Sequence, residues 1–132
     1  MLKFMLDTNI VIYVIKRRPI EVMEVFNTHS GQMSLSVVTA AELIHGAEKS
    51  AKPEHNLRIV EDFCSRLEVL DYTIKAAAHY GDIRANLERS GTSIGVNDLH
   101  IAAHARSEGL TLVTNNMREF ERVAALRLEN WL

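Results

Sequence analysis

A chain of 132 residues, 47% hydrophobic and 24% charged, suits one domain with a real core and has the composition of an ordinary soluble globular protein. Its formal net charge of −2 excludes a general attraction for polyanions, so any nucleic-acid binding must come from local basic patches or bound cations. No apolar run approaches the roughly 20 residues of a membrane span, and Met1-Leu2-Lys3-Phe4 lacks the layout of a signal peptide; with Cys64 as a lone cysteine among apolar neighbours, a cytoplasmic protein with a buried, inert thiol is expected.

Residues 3 to 7 read as a first strand, a near-continuous apolar run typical of a strand covered on both faces. A helix from Thr8 to Lys16 follows, ending in Lys16-Arg17-Arg18, cations suited to a helix C-terminus, before Pro19 blocks continuation. Pro19 opens a second helix to about Asn27. Met33-Ser34-Leu35-Ser36-Val37 alternates like a second strand, and Thr39 begins a helix through Glu48. From Pro53 another helix carries Leu57, Val60, Cys64 and Leu67 on one face, and Glu68 to Asp71 reads as a short third strand. A long helix from Thr73 to Arg89 has Ile74, Ala77, Ala78, Gly81 and Ala85 down one side, small residues that permit close packing. Gly91 ends it. A helix from Asn97 to Glu108, a fourth strand Leu110 to Val113, a short helix Met117 to Val123 and an edge strand near Leu126-Arg127-Leu128 complete the chain. Strands alternating with helices, with no repeat or linker, predict one domain over residues 1–132, an α/β fold on a mostly parallel sheet.

In such sheets ligands gather beyond the carboxyl ends of the strands. Asp7 closes the first strand, Glu42 lies in the first turn of the helix after the second, and Asp98 opens the helix before the fourth. Each has a plainer structural role available. Asp7 can cap the first helix, Thr39-Ala40-Ala41-Glu42 fits a capping box, and Asp98 can face a helix dipole. Asp98, however, lies in register with Ile101, Ala102 and Ala105 and so faces inward. A lone inward carboxylate is costly unless paired or bound to a cation, and no Lys or Arg on the adjoining turns is an obvious partner. A hard divalent ion is the economical explanation, and oxygen-only ligands select Mg²⁺ or Mn²⁺. The turn Thr114-Asn115-Asn116 adds a hydroxyl and amides, and Glu119 another acid. Basic patches are Lys16-Arg17-Arg18 and Arg118 with Arg122; a solvated helix end is the plainer reading of each.

Asp7-Thr8-Asn9, Thr39-x-x-Glu42-Leu43 with Gly46, Asp98-x-x-Ile101-Ala102, Thr114-Asn115-Asn116-x-x-Glu119-Phe120 and the Arg127-to-Trp131 tail together resemble the PIN-domain ribonucleases, above all the VapC toxins of toxin–antitoxin pairs. The resemblance implies a three-layer sandwich and a Mg²⁺ site built from Asp7, Glu42 and Asp98 that cuts RNA. Asp7 and Asp98 would be the metal ligands, Glu42 a ligand or base, and Thr8, Thr114 and Asn116 the groups that position water and phosphate. It implies a homodimer held inactive by a VapB-type antitoxin. Many members carry Asp where this chain has Asn116, which leaves the fourth acidic place to Asn116 or Glu119. Members with a similar Thr-Asn-Asn…Arg-Glu-Phe segment cut initiator tRNA in the anticodon stem-loop. Lys16, Arg17 and Arg18 are the candidate RNA contacts.

Other chemistries fit less well. His100 and His104 have zinc-protease spacing, but Ile101 stands where that motif needs Glu; semi-buried or surface histidines are expected, with His104 able to face phosphate or solvent. Asn9 breaks the nucleophile pattern of haloacid-dehalogenase-type phosphatases, which leaves a phosphomonoesterase as an alternative. A receiver-like module that holds Mg²⁺ without cutting anything is the non-enzymatic one.

Overall fold

Five strands, all parallel, run through the centre of the computed structural model, which describes residues 1–132. They are β1 (Phe4–Leu6), β2 (Met33–Ser36), β3 (Glu68–Leu70), β4 (Thr111–Val113) and β5 (Leu128–Glu129), in the order β3-β2-β1-β4-β5. The edge strands are the shortest or most exposed, as edges that must not recruit another chain tend to be. The last strand lies one to two residues beyond the Leu126–Leu128 expected from sequence.

β1 is central and buried throughout. Its register sets Met5 beside Ser34 on one side and Leu112 on the other. Because side chains alternate along a strand, Phe4 and Leu6 enter one core and Met5 the other. The first core is closed by α1 (Thr8–Lys16), α2 (Ile20–Thr28), α3 (Val37–Glu48) and α4 (Pro53–Ser65). The second is closed by α5 (Ile74–Arg89), α6 (Val96–Ser107) and the single turn α7 (Met117–Phe120), which seats Phe120 with no exposed surface. The result is a three-layer sandwich, as expected. No helix is long and apolar enough to cross a membrane. Cys64 packs against the first core but is only partly buried; burial raises its pKa, so the thiol is held protonated.

Three local expectations need correction. Pro19 precedes α2 as its cap residue and does not form its first turn. α5 does not turn its stripe of small residues inward: Ile74 is 87% exposed, Ala78 and Gly81 are exposed, and Ala76, Ile83 and Leu87 make the buried face with Tyr80. The 76-80-83-87 series has the same helical period and larger side chains, so it removes more apolar area from water. Finally, α3 starts at Val37, two residues before Thr39, because Ser36 is the cap: its Oγ accepts from the Val38 N–H at 3.1 Å.

Ser34 and Ser36 are fully buried in β2 yet satisfied. Ser34 Oγ donates to the Phe4 carbonyl at 2.9 Å, and Ser36 Oγ lies 2.7 Å from Nδ1 of His104. Since Ser36 Oγ already accepts from Val38, its proton is free to go to His104. Ser36→Ala removes both the cap and the partner of a buried imidazole, and should cost about 2 kcal/mol of stability in urea denaturation.

Candidate active site

Asp7 follows β1 at the carboxyl edge and caps α1, and β1 is flanked in the sheet by β2 on one side and β4 on the other, the topological switch point. It is 4% exposed. Oδ1 caps α1 by accepting from the Thr8 N–H at 2.8 Å, and Oδ2 accepts from the Thr114 hydroxyl at 2.8 Å. The cap is therefore real, but it uses only one oxygen. Burial raises the Asp7 pKa against the opposing pull of the Thr114 and Thr8 bonds, and the charge of Glu42 adds to the rise.

Glu42 lies in the second turn of α3, since the helix starts at Val37. The capping-box role is thereby excluded. Its carboxylate reaches across to other elements: Oε1 accepts from the Thr8 hydroxyl at 2.5 Å, and Oε2 accepts from Nδ2 of Asn97 at 3.3 Å. Asp98, in the first turn of α6, is half-buried. Burial is the main reason its pKa is pushed up to about 7, followed by repulsion from Asp7, Glu119 and Glu42 and a side-chain hydrogen bond with Glu119. Glu119 is held in turn by Asn116, whose Nδ2 donates to Oε2 at 3.1 Å and whose backbone N–H donates to Thr114 Oγ1 at 2.9 Å. Glu119 is thus the fourth acid near Asp98, and Asn116 is the residue that holds it.

The structure therefore brings together Asp7, Glu42, Asp98 and Glu119, with Thr8, Thr114 and Asn116 bonded among them. Asn97 joins the group although neither motif nor spacing points to it. Its only signal in the sequence is adjacency to Asp98, which does not reveal that its amide faces another helix.

No cation answers these charges. The three ion pairs of the chain are Asp62–Arg66, Arg84–Glu88 and Asp82–Arg106, none at the site. Arg118 is exposed, and Arg122 donates to the carbonyls of Thr92 and Ser93. Lys16, Arg17 and Arg18 are all exposed. Lys16 alone borders the groove of about 540 Å³ that also contains Thr8 and Glu42; Arg17 borders a separate depression with Met23 and Phe26. His104 does not face phosphate or solvent: it is fully buried beside Ser36 and Tyr72, and burial lowers its pKa and keeps it neutral. His100 stacks on Tyr80 with ring centroids 4.2 Å apart.

An all-oxygen donor set around a carboxyl group whose pKa is raised by burial and by neighbouring carboxylates fits a hard divalent cation. No three of the acids close into a cage of their own. Mg²⁺ does not require one, since it keeps several waters and takes one or two carboxylates together with substrate phosphate.

Residues 4–126 match the family model described as PIN domain. The chain is 64% identical over its full length, and that of its relative, to Ribonuclease VapC2 of Haemophilus influenzae. It is 59% identical, over 99% of both chains, to the tRNA(fMet)-specific endonuclease VapC of Shigella flexneri. Among solved structures, a chain of DNA-bound VapBC from Salmonella typhimurium superposes with a TM-score of 0.96 at 56% identity, covering both chains completely. VapBC2 from Rickettsia felis, bound to a promoter DNA fragment, superposes at 0.93 and 41% identity over 99% of this chain and 100% of its own. The matched span, the parallel sheet and the acids at its carboxyl edge agree, and the chain belongs to the PIN-domain family, among the VapC ribonucleases.

Proposed function

We propose that this chain is the toxin of a toxin–antitoxin pair and cuts RNA with the help of Mg²⁺, for which Mn²⁺ substitutes. Its substrate is initiator tRNA, cut in the anticodon stem-loop, and it acts in the cytoplasm. The observation that carries this reading is Asp98, held half-buried among three other carboxylates with no cationic partner. The tRNA(fMet)-specific name of the Shigella relative supports the substrate, and the VapBC complexes support a VapB-type antitoxin as partner. A homodimer follows from the family resemblance.

Asp7 and Asp98 would hold the ion, with Glu119 beside Asp98 as an outer acid. A divalent cation there neutralises phosphate oxygens, lowers the pKa of water and stabilises a departing alkoxide. Glu42 is a further ligand or the base that orients and deprotonates the attacking water. Thr114 and the Thr8 N–H fix the direction of the Asp7 carboxylate, and Asn116 fixes that of Glu119. Water would attack phosphorus and pass a proton to Glu42, the bond to the ribose 3′-oxygen would break, that oxygen would take a proton from solvent to leave as a 3′-hydroxyl, and a 5′-phosphate would remain on the downstream piece. Lys16, at the groove that reaches Glu42, is the basic residue best placed to take flanking phosphate, with Arg17 and Arg18 further along the strand.

The direct test incubates purified protein with initiator tRNA and Mg²⁺ or Mn²⁺, with EDTA as control, and maps the ends. EDTA-sensitive internal cuts with 5′-phosphate ends are expected. Metal binding without cleavage would favour a receiver-like module, and release of terminal phosphate alone would favour a phosphatase. Asp98→Asn should abolish cleavage and leave the metal-free fold as stable as before or more so, because it removes a repelled charge; thermal melting in EDTA checks the second half.

The charge cluster also sets a pH dependence. Unfolded, Asp98 ionises near its ordinary value of 3.8, whereas the folded, metal-free protein keeps that proton up to about pH 7. The folded state binds more protons between those limits, so metal-free stability should fall as pH rises through that window. Mg²⁺ should recover stability above pH 7 far more than at pH 4, as followed by urea denaturation at each pH. Lys16→Ala should weaken RNA binding more than turnover at saturation and lower the slope of log affinity against log salt by about 1.

A further inference from the structure

Glu42 is the acid of the set held by neutral side chains from two other helices. Asp7 is tied to the backbone beside it, and Glu119 is held by Asn116 from the same short turn. Glu42 leaves the second turn of α3 and is held only by side chains of α1 and α6, one donor on each oxygen. Thr8 takes Oε1 and Asn97 takes Oε2.

The two neighbours on α6 act on Glu42 in opposite senses. Asp98 and Glu42 repel each other, and Glu42 and Asp7 do the same. Glu42 is only partly buried, so a rotation about its side-chain bonds would carry the charge into solvent and relieve that repulsion. A neutral amide on the next residue holds it in place without adding charge. We infer that Asn97 is a positioning residue, which keeps the Glu42 carboxylate turned into the acidic pocket and so raises affinity for the divalent ion. This inference rests on the nuclease reading above.

A hydrogen bond to a charged carboxylate is stronger than one between neutral groups. Loss of groups that orient metal-site carboxylates commonly costs about 10-fold or more in metal affinity or activity. Three variants separate positioning from bulk packing. Asn97→Ala removes the donor. Asn97→Asp keeps size and shape but puts a repelling carboxylate against Glu42. Asn97→Gln keeps the amide on a longer stem. Since Asn97 is exposed, none should lower the metal-free melting temperature appreciably.

The experiment titrates the full-length protein with Mn²⁺ by calorimetry, without RNA, and measures the Mg²⁺ dependence of tRNA cleavage in parallel. The expected result is about 10-fold weaker Mn²⁺ binding for Asn97→Ala, a larger loss for Asn97→Asp, and recovery of most of the loss in Asn97→Gln. The Mg²⁺ concentration for half-maximal cleavage should shift in the same order. Wild-type metal binding in Asn97→Ala and Asn97→Asp would overturn the inference. So would equal losses in all three variants that follow a drop in melting temperature, which would mark a merely structural role. Glu42→Gln and Asp98→Asn serve as references: if the wild type does not cleave, the nuclease reading fails, and if both variants cleave like the wild type, these acids are not its catalytic site; either result takes this inference with it. If both are inactive while the Asn97 variants behave as wild type, only the inference about Asn97 fails.

Discussion

Repulsion among carboxylates at one edge of a buried sheet is the constraint around which the site is built. Four acids arrive from four separate elements, and no lysine or arginine neutralises them. Neutral donors fix three of the four: Thr8 and Asn97 hold Glu42, Thr114 holds Asp7 and Asn116 holds Glu119, each giving one hydrogen bond to a carboxylate and adding no charge, while Asp98 is tied to the set through Glu119. The rest of the fold makes this possible by keeping the four elements rigid: a central strand buried on both faces, and helices seated on two separate cores.

The positions of these donors follow from the topology. A parallel sheet puts every strand end, and every following helix start, on the same side. Residue 7 and residue 114 are therefore neighbours, as each stands just past the end of a paired strand. α6 reaches the same place from the opposite direction, bringing its N-terminal turn to the edge before running back under the sheet. Asp98 then sits near a helix N-terminus, where a negative charge is favoured, yet burial and three like charges outweigh that benefit and push its pKa up to about 7.

Much of this is legible in the chain. The apolar run before Asp7, the inward register of Asp98 and the alternation of strands and helices predict the sandwich and the shared edge. What is not legible is competition between equivalent patterns. Ser36 and Thr39 are both capable caps, and only the end of β2 decides for Ser36. In α5 the small stripe and the 76-80-83-87 series share one period, and packing against α6 selects the larger residues. His104 looks like a surface histidine because its partner, Ser36, is distant in sequence. Asn97 is hidden for the same reason: a side-chain bond between two helices leaves no trace in local spacing.

The all-parallel arrangement also bears on when the protein becomes competent as it is made. No two neighbouring strands can be joined by a tight turn, and the central pairing, Met5 with Leu112, spans nearly the whole chain. Closing so large a loop is slow and comes late, because its entropy must be overcome before the contact forms. Thr114 reaches Asp7 only after that step. A partly synthesised chain, with β1 and its aspartate already outside the ribosome, therefore holds an incomplete pocket, and the acids assemble only once the fourth strand has docked.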